Sequence, residues 1–314
     1  MLLLTGATGT VGSYLLERLL AEGTAVRCLV RDPRRLGSRR VRVQIALGDL
    51  ADPPSFRNAL RGVDTVVHLA STLRDQPRGS IEELCGIATW RMVHAAQRAG
   101  AERFLYLSVL GASTHHRSRL FRAKALAEQA VREADLDTTV FAPSLVYATD
   151  DRWMGLLERL SLLPAVPIPG NGQAQLQPIW VEDVVDCVLA ALHGRAGDGA
   201  GWQANGGSSA PGNATRASLD LRFELAGPQT ITTREVARMM LRAIERPRPL
   251  LPVPTPLAAR VLRLLSAIDA DSPLPTWEEA ELAEVSMTAS GGDADARRLG
   301  VAPRPMAAVL GLDD

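Results

Sequence analysis

The stretch Leu2-Leu3-Leu4-Thr5-Gly6-Ala7-Thr8-Gly9-Thr10-Val11-Gly12 runs an apolar strand into three glycines spaced three apart. Val11, Leu15, Leu16, Leu19 and Leu20 then recur on helical spacing as far as Gly23, a natural helix stop. A glycine turn between strand and helix is the context a dinucleotide pyrophosphate requires. Gly6 permits the tight turn, Gly9 lets the backbone approach the phosphates, and Gly12 allows close packing of helix on sheet. Free N–H groups at the helix start then face the phosphate charge. Thr5, Thr8, Thr10 and Val11 complete the turn and are candidate cofactor contacts.

Outward from this turn, apolar runs alternate with helical patterns. Strands are expected at Ala25–Val30, Val41–Leu47, Asp64–Ala70, Arg103–Ser108 and Thr138–Ala142. Helices are expected from Asp52 as N-cap through Pro53-Pro54, over Ser80–Ala99, and over Ser118–Ala134. Strands that are apolar on both faces and separated by helices indicate a parallel sheet covered on both sides. Right-handed crossovers make that a doubly wound α/β fold. Residues 1–150 form the expected dinucleotide domain and 151–314 a smaller C-terminal α/β region. In that second part helices are expected at Asp151–Leu163, Val181–His193, Thr232–Glu245 and Leu257–Ile268, and a strand at Leu221–Leu225 that returns to the sheet. Residues 195–220 are rich in Gly, Ala, Ser and Asn without apolar periodicity and read as a flexible insertion.

The composition agrees. The chain has 314 residues, 46% hydrophobic and 22% charged, as in ordinary globular proteins. Lys+Arg and Asp+Glu both number 35, so there is no basic excess for a nucleic acid. Cys28, Cys85 and Cys187 form no CxxC pair and suit reduced thiols. With no basic leader before the first strand and no apolar run of about 18 residues, a cytoplasmic location is expected. One feature is lopsided: Lys124 is the sole lysine, and the other 34 cations are arginine.

The GxxGxxG spacing and the TGATG run resemble the extended and atypical short-chain dehydrogenase/reductases, especially the NmrA-like group. They also resemble relatives of the NADPH-binding accessory subunit of respiratory complex I. Further stretches support the resemblance from residue 1 to about 190: Gly48-Asp49-Leu50, Val66-Val67-His68-Leu69-Ala70 with Ser71 after it, Leu107-Ser108-Val109-Leu110-Gly111-Ala112, Ala142-Pro143-Ser144-Leu145-Val146-Tyr147, and Ile179-Trp180-Val181-Glu182-Asp183-Val184. The resemblance implies a Rossmann-type sheet and a smaller C-terminal region, residues 151–314, that covers the substrate. It places Asp49 and Leu50 beside the adenine, and Leu69, Ala70, Ser71, Pro143 and Ser144 along the cofactor.

At the end of the second strand such proteins carry an acidic residue for the NAD ribose; here that position is Arg31. A guanidinium forms paired bonds to a 2′-phosphate, which favours NADP(H) over NAD(H), with Asp32 the rival ribose contact. Resembled dehydrogenases use a Tyr-x-x-x-Lys pair, with a serine at the fifth strand polarising the substrate carbonyl. Ser108 and Lys124 occupy two of those positions, but Leu120 stands where the tyrosine would be, and leucine donates no proton. Tyr106, Tyr147, His115 and His116 are the nearby groups that could stand in.

Two functions follow. One is an NADP(H)-dependent reductase or isomerase acting on a small organic substrate. The other is a non-catalytic NADP(H)-binding module with a structural or redox-sensing role. Trp153 and Trp180 are either pocket walls or core, and Leu257–Ile268, with Arg260 and Arg263 among leucines, either packs on the domain or lies on a membrane surface or partner.

Overall fold

A computed structural model describes residues 1–194, 220–268 and 277–312. The insertion expected at 195–220 falls outside them, except for Asp220. The first half forms β1 (Leu2–Thr5), α1 (Thr10–Ala21), β2 (Val26–Val30), β3 (Gln44–Leu47), α2 (Pro53–Phe56), β4 (Thr65–His68), α3 (Ala88–Arg98), β5 (Arg103–Leu107), α4 (Arg119–Arg132) and β6 (Asp137–Pro143). Two later helices, α5 (Arg152–Leu160) and α6 (Val181–His193), pack on the same body.

Seven parallel strands make one sheet in the order Asp220–Leu225, β6, β5, β4, β1, β2, β3. The chain therefore runs outward from β1 in one direction and restarts at β4 in the other. Ligands of such sheets bind where the order reverses, outside the carboxyl ends of the strands. Here the order reverses between β1 and β4, whose ends Thr5 and His68 are register partners.

Alternation on the strands divides the core into two. Leu2, Leu4, Val67 and Leu105 join α1 and α6 on one face, and Leu3, Val66, Phe104 and Tyr106 join α3 and α4 on the other. The late strand Asp220–Leu225 extends the sheet because Phe223 and Leu225 are fully buried on it. Trp180 is buried in the first of these cores, and the half-buried Trp153 packs against it.

Four local expectations change. Val41 belongs to a run of 3₁₀ turns over Pro33–Arg42, and β3 starts only at Gln44. Asp32 opens that run by accepting a hydrogen bond from Arg34 N (2.9 Å), and Pro33 fixes its first position. Asp52 precedes α2 but its side chain caps nothing. The helix expected over Ser80–Ala99 is α-helical only from Ala88; Glu82–Ile87 is a π-helix. The late helix is Thr255–Ile268, and among the described residues no helix is long and apolar enough to cross a membrane.

Candidate functional site

The glycine turn has the shape its sequence requires. Gly6 takes φ +75°, and a Cβ there would stand 2.7 Å from Ala70 N, so β1 and β4 close on each other at this point. A Cβ at Gly12 would overlap the Gly6 carbonyl oxygen. Gly12 thus lets α1 close on the turn itself, where close packing on the sheet had been expected. Gly9 and Thr10 are exposed, and Gly9, the N-cap of α1, caps no N–H with a side chain. The N-terminus of α1 is therefore open to an anion.

Thr5 is not part of that open face. Its side chain is buried in a directed chain of hydrogen bonds. Thr89 Oγ1 donates to Cys85 O (2.9 Å), so toward His68 Nε2 (3.1 Å) it can only accept. The His68 proton is therefore on Nε2, and Nδ1 accepts from Thr5 Oγ1 (2.8 Å). Thr5 Oγ1 in turn accepts from Ala70 N (3.4 Å). Burial, with Lys124 nearby, pushes the His68 pKa down to about 3. The chain ties the phosphate turn to the π-helical segment that carries Cys85.

At the adenosine end, Arg31 is exposed and donates to Gln76 Oε1 (2.6 Å). Asp49 receives Ala51 N on Oδ1 (3.0 Å), while its buried Oδ2 makes no hydrogen bond and faces Arg78 Nη1 at 3.6 Å. Leu50 and Ala70 are half-buried, Leu69 buried and Ser71 exposed beside Cys85 Sγ (3.4 Å). An open helix N-terminus, a buried carboxylate oxygen lacking a donor, and an exposed guanidinium fit a dinucleotide's pyrophosphate, adenine and ribose in that order.

The nicotinamide end differs from expectation. Lys124 is 4% exposed, and its ammonium donates to Leu107 O (2.7 Å) and lies 4.9 Å from the Tyr106 ring centroid. It makes no surface pair with Glu128, and burial lowers its pKa. Glu128 instead receives the Ser108 hydroxyl on Oε1 (2.5 Å) and Arg222 Nε on Oε2 (3.0 Å). A serine hydroxyl has one proton. Ser108 donates it in a hydrogen bond to a buried carboxylate, whereas the expectation had it facing a substrate carbonyl. Leu120 is 6% exposed and packs with Ile81, Cys85 and Phe121. Ser144, expected along the cofactor, donates to Met287 O (2.7 Å) and accepts from Gln177 N (3.1 Å), which joins the C-terminal region to the end of β6. Pro143 is buried, its carbonyl held by Leu110 N.

The four stand-ins for tyrosine are placed as follows. Tyr106 is wholly buried in the α3/α4 core, and burial raises its pKa well above the ordinary value. Tyr147 is buried against Trp180, ring centroids 5.4 Å apart, and burial likewise raises it. His116 stacks on Phe121 and accepts from Ser118 N (3.0 Å); burial lowers its pKa. His115 is exposed and bonds its neighbour Thr114. Glu128, Arg222, His68 and Thr89 were not anticipated. The one signal was Arg222 itself, a charge inside a strand that ends buried.

Known proteins share this fold. Residues 6–160 match a family model described as NAD(P)H-binding. The chain is 29% identical over 295 residues to the NADH dehydrogenase (ubiquinone) 1 alpha subcomplex subunit 9, mitochondrial, of Arabidopsis thaliana, covering 90% of this chain and 67% of that one. It is 29% identical over 189 residues to ceramide reductase of Caulobacter vibrioides, covering 60% of this chain and 59% of the relative. An NADPH-dependent quinone oxidoreductase of Escherichia coli, solved with NADPH, shares the fold at a TM-score of 0.67 and 15% identity over 99% of both chains. The phosphate turn and the sheet order are those of a Rossmann-type NAD(P)H-binding fold, and the chain is similar to proteins of the atypical short-chain dehydrogenase/reductase kind.

Proposed function

We infer that the chain holds NADP(H) at the switch-point crevice and supplies no side-chain proton donor at the nicotinamide end. The carrying observation is the pairing of two facts: Leu120 lies in an apolar cluster, and the Ser108 proton is committed to Glu128. When bound, the dinucleotide supplies hydride chemistry. The chain's residues bind and orient it: the α1 N-terminus the pyrophosphate, Asp49 the adenine, Arg31 the 2′-phosphate, and Lys124 the nicotinamide ribose. Lys124 is favoured for that last role because arginine is used everywhere else in the chain. This is the chemistry of a structural or redox-sensing module, in keeping with a relative that is a subunit of a respiratory complex.

A reductase reading is favoured by a different observation, the relative named ceramide reductase. In that reading an electrophilic small molecule is reduced over the apolar face around Leu120 and takes its proton from water. Tryptophan fluorescence and calorimetric titrations with NADPH and NADH test binding; no saturable signal with either sinks both readings. Stopped-flow oxidation of NADPH against quinones, enals and ketones then separates them. The module shows no turnover above background, and sustained turnover overturns it.

A further inference from the structure

The loop from β4 to the π-helical segment closes on itself. Gln76 and Gly79 exchange both backbone hydrogen bonds (2.9 and 3.0 Å), which makes a four-residue hairpin. Asp75 pins its base. The carboxylate accepts from Ile81 N (2.8 Å) and from both terminal nitrogens of Arg119 (3.0 and 3.1 Å). Arg119 is held in turn by Glu82 at 2.6 Å. The hairpin is therefore anchored to the start of α4.

Its two polar side chains both go to the adenosine end. Gln76 takes one terminal nitrogen of Arg31, and Arg78 faces Asp49. Arg31 and Asp49 leave adjacent strands, since Val30 and Leu47 are register partners. Neighbouring strands lie about 4.8 Å apart. A phosphate carried on Arg31 therefore comes close to the Asp49 carboxylate, which is only 13% exposed and repels it. The group positioned to offset that repulsion is Arg78. Its guanidinium is 79% exposed, and its 3.6 Å contact with Asp49 is a loose surface pair of little weight. It can therefore turn to a stronger anion while still screening the carboxylate. Gln76 occupies only one of the five donors of Arg31, so the rest of that fork stays available.

We propose that Arg78 is the second cation of a 2′-phosphate site, closing on the phosphate opposite Arg31 and setting the preference for NADP(H) over NAD(H). The proposal rests on the NADP(H) reading above and adds a residue that no strand end supplies. Calorimetry on the full chain tests it with NADPH, NADH, 2′,5′-ADP and ADP, for the native chain, Arg31→Ala and Arg78→Ala. Arg78→Ala should weaken NADPH and 2′,5′-ADP about tenfold, the loss of one charge-assisted contact, and leave NADH and ADP within about twofold. An unchanged NADPH/NADH affinity ratio overturns the proposal, whether both affinities hold or both fall together. If Arg31→Ala abolishes the preference and Arg78→Ala does not, Arg78 alone is refuted and the NADP(H) reading stands. A native chain that prefers NADH refutes both.

Discussion

Ser108 and Glu128 are joined by a 2.5 Å hydrogen bond in which the serine hydroxyl donates and the buried carboxylate accepts. The other oxygen of that carboxylate receives Arg222, which comes from the last strand of the sheet and also pairs with Glu224. The trio ties α4 to β5 and to the late strand. Replacing Glu128 by Ala leaves a buried hydroxyl without its acceptor and takes one of two carboxylates from a partly buried guanidinium. That change is expected to cost on the order of 3 kcal/mol, read by urea denaturation. Ser108→Ala removes a donor and costs about 1–2 kcal/mol. Dinucleotide affinity in Ser108→Ala should stay within about twofold. A large affinity loss at unchanged stability would return Ser108 to the cofactor.

His68 predicts an acid sensitivity with a definite sign. Its pKa is about 3 in the folded chain and about 6.5 when unfolded, so between those values the unfolded chain binds the extra proton. Stability from this group is complete above pH 6.5 and is lost as pH falls toward 3. The slope is about 1.4 kcal/mol per pH unit at most. His68→Asn does not titrate there. The difference in unfolding free energy between native and variant chains should therefore shrink from pH 7 to pH 4. A pH-independent difference would show that His68 does not titrate as its burial requires.

The first half of the fold was legible because its strands are apolar on both faces and bounded by glycines, as at Leu2–Gly6 and Asp64–Ala70. The cofactor turn was legible for the same reason, since steric demands at Gly6 and Gly12 act over a few residues. What the sequence hid depends on distant partners. Glu128 reads as an ordinary helical neighbour of Lys124, four residues on. Its burial follows from Arg222, 94 residues later. The π-helical segment is held by the Thr89 back-bond to Cys85 O, with His68 on the same hydroxyl, and no local pattern of residues states that. The start of β3 was misplaced because Val41 looks strand-like, while Asp32 and Pro33 commit the chain before it to turns.

Lys124 separates binding from stability. Its buried ammonium is disfavoured in the folded chain, so its pKa is lowered. Below the ordinary 10.5 there is a window in which the unfolded chain binds the proton more tightly, and stability rises with pH across it. Lys124→Met keeps the length of the side chain and removes the charge. It should abolish that rise and change stability at pH 7 by less than about 1.5 kcal/mol. NADPH affinity should fall about tenfold, the loss expected for a charged hydrogen bond to a ribose hydroxyl. Equal affinity in the two chains would remove Lys124 from the cofactor site and leave it as a clip on Leu107 O.

Leu120→Tyr asks whether the missing phenol alone separates this chain from an active dehydrogenase. The new side chain would start one helical turn before Lys124, among Ile81, Cys85, Phe121 and the half-buried Val109. That cluster is closely packed, and added bulk there costs about 1–3 kcal/mol. The phenol would also find the Ser108 hydroxyl turned to Glu128, with one of the three Lys124 donors already on Leu107 O. A lysine held on a backbone carbonyl is less able to lower a phenol's pKa than one facing it. The variant should therefore melt below the native chain, bind NADPH within a few-fold, and oxidise it no faster with quinones, enals or ketones. Thermal melts and the same stopped-flow assay check this. A gain in turnover of tenfold or more would mean that Ser108 and Lys124 can turn toward a substrate once an acid is present, and that the committed hydrogen bonds do not by themselves prevent catalysis.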